Sequence, residues 1–405
     1  MPGIMRRQNA GKRLKQGKES NGNKRRWIRL VVIVLAVLLL ASGCGRQHAV
    51  SQLFASDGLL EVPSDSEKLY AYRTLTDNEK LVYDQMVDTV KHRKSDVRLA
   101  TSSLKVLKKS WQAVRCDHEE FFWVKNLSYE LYKKDGKIQA IDISPKYTMS
   151  EEKIDSCRKK INKKVKGILK DAPRDGTDYD KVKYCYDTLI RTVDYDSSAP
   201  NSQNIISTFL GRRTVCQGYA YGMQYLLKKL GVSCTTVEGR ARGINHAWNL
   251  VRMDGAYYYV DVTWGNSQYA FSQNGNENQT EKYINYNYLG ATTADIQDTH
   301  TASDMIKLPK CTAVKDNYFV HEKLYFSEFD RQAIGKAIQK KYLQGASSIQ
   351  LKFSSMDLYE QVIQYFVEDY HVADFCPQLK AFQYVDSMDS RSLLMIFPDQ
   401  WEKEN

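Results

Sequence analysis

The stretch Thr214–Trp264, TVCQGYAYGMQYLLKKLGVSCTTVEGRARGINHAWNLVRMDGAYYYVDVTW, constrains the fold of this chain more than any other. Tyr219, Met223, Leu226, Leu227 and Leu230 recur at helical spacing across Gln217–Leu230, and Gly231 is a good residue for ending a helix. That places Cys216 at or just before a helix N-terminus. Unpaired N–H groups and the positive end of the helix dipole lie there. A thiol so placed is biased towards thiolate, and the same N–H groups suit a developing oxyanion. Gly218 is expected to leave room for a substrate to approach the backbone.

Further along the same stretch, His246–Met253 and Ala256–Trp264 read as strands about Asp254-Gly255, a two-residue hairpin signal. If those two residues are the loop, Met253 pairs with Ala256, Trp248 with Asp261 and His246 with Thr263. His246 and Trp248 share a face because side chains alternate. His246 and Asp261 therefore become diagonal neighbours, roughly 7–8 Å apart at Cα. A three-residue bulged loop would break this register. A carboxylate beside an imidazole fixes its tautomer and favours its charged form.

Three motifs, C-x-G-Y-A before a helix, then H-A-W-N, then Y-Y-x-V-D-x-T-W, resemble the core of the bacterial transglutaminase-like superfamily. The likeness runs from Asp178 to His300 and is tightest over Val215–Gly265. It implies an α+β fold with a papain-like core, the helix bearing the Cys packed on an antiparallel sheet. It also implies Cys216 as nucleophile, His246 as general base and then acid, and Asp261 as the group that orients His246. Tyr195, Gln217, Trp264 and the Cys216 backbone N–H are auxiliary candidates, Tyr195 and the N–H for the oxyanion. One departure is Cys185-Tyr186-Asp187, where the family pattern leads one to expect His-Asp; it leaves the triad unaffected.

The N-terminus has a different character. Residues 1–30 hold ten Lys and Arg against one acid, Glu19, so they carry nine of the formal +11 and leave +2 for the other 375 residues. A basic excess confined to one end, without a stripe of interleaved aromatics, speaks against nucleic-acid binding. Twelve apolar residues follow, Leu30–Ala41, short of the roughly 20 that span a bilayer but fitting the h-region of a signal peptide. Ser42-Gly43-Cys44-Gly45 then resembles a bacterial lipobox, which implies a lipid on Cys44 and an extracytoplasmic, membrane-anchored chain; an uncleaved signal anchor is the alternative. The other cysteines are scattered, with no C-x-x-C pair and no histidine at zinc-ligand spacing, so the expectation is no metal, no cofactor and no disulfide framework.

The expected organisation is a tether over 45–65, an N-terminal α+β region over 66–170, the catalytic domain over 171–310 and a separate, non-catalytic α/β module over 311–405. Strands are expected over Glu120–Leu131, Lys137–Ile143 and Tyr318–Phe326, a less regular segment over Leu104–Val114, and a polar loop over Gly265–Thr280. The acid-then-aromatic run DHEEFFWV (Asp117–Val124) reads as a strand edge entering a core.

Two functions follow. One is a thiol enzyme acting on amide or peptide bonds, as peptidase, amidase or glutamine acyltransferase, with a protein or peptide substrate that includes cell-wall peptides; water is the favoured acceptor. The other is a surface-anchored module that binds peptide or cell-wall ligands on the same fold without catalysis.

Overall fold

Amphipathic segments flank the central stretch on both sides, and a computed structural model describes them over residues 66–273 and 276–398, with the backbone alone for 268–282. The basic segment, the apolar run, Cys44 and the whole of the tether lie outside the described residues.

Helix α1 (Asp77–Lys91) starts in a capping box between Thr76 and Glu79. Helix α2 (Leu104–Asp117) runs unbroken where the apolar periodicity is weak, because Ser103 caps it and its buried face includes the polar Ser110 and Gln112, which hydropathy does not count. The hairpin β1 (Val124–Lys134) and β2 (Lys137–Tyr147) turns at Asp135-Gly136, both at positive φ. Strand β1 begins at Val124 and not at Glu120. His118–Trp123 form successive turns closed by Phe121 N–H to His118 and Val124 N–H to Phe121, which bury Phe122 and Trp123 without extended pairing.

Helices α3 (Glu151–Ile168) and α4 (Asp178–Thr192) lead to α5 (Cys216–Lys229). Helix α5 lies on a five-stranded antiparallel sheet made of β3 (Cys234–Ala241), β4 (Ile244–Met253), β5 (Ala256–Val260), β8 (Leu289–Ala291) and β9 (His300–Ala302), in the order β8-β5-β4-β3-β9. Tyr219, Met223, Leu226 and Leu227 are buried against Val251, Tyr258 and Val260 of the sheet and Val182, Tyr186 and Leu189 of α4. Burial of each such side chain stabilises by about 1.5–3 kcal/mol. Two buried polar bonds fix how helix and sheet slide: Asn249 Nδ2 to the Ala220 carbonyl (3.0 Å) and Thr236 Oγ1 to Gln224 Oε1 (2.7 Å).

The segment expected as a polar loop after Trp264 is an antiparallel ribbon, β6 (Asn266–Gln273) with β7 (Asn276–Ile284). Backbone pairing needs no apolar face, so hydropathy does not reveal it. The stretch Tyr318–Phe326 is also not one strand. Asn317 caps a helical turn, Tyr318–His321, and Lys323 at φ +59 separates it from a two-residue strand, Tyr325–Phe326. That strand joins β10 (Ser348–Phe353), β12 (Ser392–Ile396) and β11 (Gln383–Ser387) in a second sheet, flanked by α6 (Arg331–Leu343) and α7 (Met356–Val362). The boundary expected near residue 310 is crossed by close contacts: Tyr318 stacks on Tyr286 (3.8 Å), His321 on Tyr179 (3.6 Å), and Lys352 pairs with Asp295 (2.9 Å). One apolar cluster of the described residues runs from Val90 to Phe397 and crosses that boundary.

Candidate active site

Asp254 and Gly255 form the two-residue loop, with φ +46 and +91, and Met253 pairs with Ala256. The register holds through Asn249–Val260 and then ends. Thr263 does not pair with His246, because the chain leaves the sheet at Asp261 and winds into one helical turn, Val262–Gly265. Asp261 caps that turn: its Oδ1 accepts from the Thr263 and Trp264 N–H groups at 2.9 and 3.1 Å. Its other oxygen, Oδ2, accepts from His246 Nε2 at 2.6 Å. Both side chains are buried, 7% and 4% exposed.

A second imidazole meets the same oxygen. His300 Nε2 lies 3.1 Å from Asp261 Oδ2, and its Nδ1 lies 2.8 Å from the Thr299 hydroxyl. His300 was not among the residues singled out in the sequence. It arrives on β9, which pairs with β3 through His300 opposite Ala241, a contact between residues far apart in the chain. The sequence signal was only a lone histidine in a short polar segment. Among the described residues, His246, Asp261 and His300 offer atoms within 4.8 Å of one another, a spacing at which a cation can be shared. Their two N–H···O bonds already account for that spacing.

The charge balance follows from this geometry. Burial opposes the charged form of His246, but Asp261 and hydrogen bonding to Cys216 outweigh it and push the imidazole pKa up to about 10. Burial likewise opposes the Asp261 carboxylate, yet His246 and His300 hold its pKa down to about 2. The pair is therefore ionic at neutral pH.

Cys216 is the first residue of α5, and Val215 before it offers no capping side chain. The starts of α2, α3, α4 and α6 are instead closed by Ser103, Ser150, Thr177 and Asp330. The donors of the first α5 turn thus have no competing side-chain acceptor from their N-cap. Cys216, Gln217 and His246 line one cleft of about 710 Å³. The other six described cysteines are buried thiols, none in a disulfide.

The auxiliary residues divide. Gln217 lines the cleft. Tyr195, 52% exposed, ends a two-residue strand beside Thr214, and its phenol pKa is raised by burial and then by Cys216. Trp264 does not line the cleft; its ring packs on His300 (4.7 Å) and near His246 (6.1 Å), with Arg242 over it, and it forms with Trp248 an aromatic surround for the ion pair. Gly218 has a different reason from the one expected. A Cβ there would stand 1.8 Å from Thr214 Oγ1, so the space is taken by the chain's own strand and not by substrate.

A family model of the Transglutaminase-like superfamily matches residues 168–262. This segment is a transglutaminase-like domain. It contains Cys216, His246 and Asp261, and it carries the Cys-bearing helix on an antiparallel sheet that the α+β, papain-like expectation required. The kyphoscoliosis peptidases of mouse and human are each 27% identical to the chain over 125 residues, covering 26% of this chain and 18% of the relative. The chain thus spans less than a fifth of the length of these curated relatives. A solved structure of a TGase superposes with a TM-score of 0.26 at 16% identity, covering 37% of this chain and 48% of that one. His300 lies beyond the matched residues, on the edge strand of the same sheet.

Proposed function

We propose that the chain is an extracytoplasmic, membrane-anchored thiol enzyme that opens amide or peptide bonds through Cys216, His246 and Asp261. The observation that supports this reading is the 2.6 Å His246–Asp261 bond, buried beside a cysteine at an uncapped helix start on the same cleft. Asp261 occupies Nε2–H, which leaves Nδ1 to take the Cys216 thiol proton. The thiolate attacks the substrate carbonyl, and its oxygen develops negative charge near the first N–H groups of α5. His246 then returns the proton to the leaving amine, and a thioester remains on Cys216. Water, activated by His246, attacks the thioester; the acid departs and the thiolate is restored. Glutamine-specific transfer to an amine differs only in this last acceptor. The lipobox-like Ser42-Gly43-Cys44 supports the anchoring half of the reading.

The test uses full-length protein, a panel of peptides and glutaminyl substrates with and without an added amine, and the Cys216→Ala variant. Cys216 is expected to be alkylated by iodoacetamide near pH 6–7 far faster than a free cysteine, and the variant to lose all turnover while melting at the same temperature. Full turnover by Cys216→Ala on every substrate the natural protein cleaves would sink the enzymatic half. For the anchor, Cys44→Ser is expected to move the protein from the membrane to the soluble fraction; unchanged fractionation refutes it.

A further inference from the structure

The DHEEFFWV motif is not consumed by the chemistry at Cys216. Its turns form one wall of a second cleft of about 690 Å³, whose lining includes His118, Phe121, Phe122 and Val124. Trp111 on α2 and Leu127 on β1 also line it. Trp111, Phe121, Val124 and Leu127 are each only partly buried, although they pack on the edges of the two largest apolar clusters. This second cleft adjoins the first. Arg115, Gln203, Gln217 and Glu238 line both, with the Arg115–Glu238 ion pair at the junction. Next to the cleft that holds Cys216, past Gln217, thus lies a hollow between the N-terminal α+β region and the start of α5, with an apolar side formed by Trp111, Phe121, Val124 and Leu127 and a polar remainder.

A further feature of the wall stands out. His118 is nine-tenths buried, stacked on Phe121 (4.6 Å), with Nδ1 bound to Glu120 at 2.6 Å. Its Nε2 is buried with no hydrogen-bond partner.

We propose that this hollow is a specificity subsite for peptide substrates, which receives an aromatic or large aliphatic side chain a few residues from the bond that Cys216 attacks. The subsite rests on the acyl-transfer reading of Cys216 only for the word substrate; its ligand class follows from the lining. The occupant is a peptide because the hollow adjoins the cleft that takes the amide and shares Gln217 with it. It is apolar because four half-buried apolar side chains converge there. The N-terminal region then selects the substrate, and the transglutaminase-like domain performs the chemistry.

Binding separates this proposal from turnover. Fluorescein-labelled peptides that scan Phe, Leu, Ala and Asp through each position are titrated by anisotropy into full-length Cys216→Ala protein. Phe or Leu at one position is expected to bind about tenfold more tightly than Ala, the effect of burying most of one large apolar side chain. Leu127→Glu and Phe121→Ala, each introduced into this protein, are expected to reduce that preference to about twofold or less. The same two changes in the natural protein should leave the rate of Cys216 alkylation unchanged, which shows that they fold. No preference for Phe or Leu at any position, or a preference that survives both changes, overturns the subsite. If the preference is found and the natural protein cleaves none of these peptides, it is the enzymatic reading that fails.

Discussion

Two imidazoles converge on one carboxylate oxygen, Asp261 Oδ2, and the pH behaviour of the protein follows from this cluster. The folded pKa of His246 is raised, so its contribution to stability is complete below the unfolded value of about 6.5 and is lost as pH rises towards about 10. The folded pKa of Asp261 is lowered, so its contribution is present above about 4 and is lost as pH falls towards about 2. If the thiolate–imidazolium pair is the active form, activity should persist well above pH 7 and fall as pH approaches 10. An alkaline limb near the ordinary imidazole value of about 6.5 contradicts this pairing. His300 touches Asp261 and not the cleft, so it is a positioning residue. His300→Leu is expected to lower kcat about tenfold with little change in KM, since a hydrogen bond to a charged group is worth about 1.5 kcal/mol, whereas His300→Gln, which keeps an N–H donor, should recover most of it. Equal losses in both variants would show that only ring packing matters there. That Cys216 begins a helix and that His246 meets Asp261 was legible in the sequence, because each sits in a local pattern. His300 was not, because only the long-range pairing of β9 with β3 brings it in.

At the scale of elements, the hairpin register was legible as far as Val260, because a two-residue loop fixes pairing outward from its tip. It failed beyond because Asp261 satisfies the Thr263 and Trp264 N–H groups itself and starts a helical turn. The ribbon β6–β7 escaped for a related reason: its pairing is a matter of backbone, not of apolar alternation. The loop–helix junction before Cys216 carries its own prediction. Thr214 Oγ1 donates to the Ser202 carbonyl (2.8 Å) and stands where a Cβ on residue 218 would fall. Gly218→Ala should destabilise by about 1–3 kcal/mol in urea unfolding, as overpacking does. Adding Thr214→Ala should relieve part of that cost, so the two changes should be less than additive. Strict additivity would place the strain elsewhere.

At the scale of the described residues, one apolar core spans the division expected near residue 310. Tyr179, Tyr186 and Leu189 of α4 belong to the same cluster as Phe319, Phe353 and Phe397. Two buried networks reinforce this: Gln350 Oε1 accepts from the Tyr286 N–H (2.8 Å), and Asn287 Nδ2 donates to Ser392 (2.9 Å). Calorimetry of the intact protein should therefore show the transglutaminase-like domain and the C-terminal sheet melting in one transition. Two resolved transitions, with the alkylation rate of Cys216 unchanged after the first, would count against a shared core. Change of pattern along a chain marks a change of element type; it does not reveal which apolar faces meet.

The two oxygens of Asp261 have different clients: two backbone N–H groups on Oδ1, two imidazoles on Oδ2. An amide of the same shape has one acceptor for a place that asks for two. Asparagine at this position is locally frustrated whichever way it turns. Turned one way, it sets N–H against N–H at the start of Val262–Gly265 and uncaps the turn that carries Trp264. Turned the other way, it donates to His246 Nε2, which forces the proton onto Nδ1, the nitrogen that must be empty to receive one from Cys216. The smallest possible change in this carboxylate therefore forces a choice between the scaffold and the tautomer.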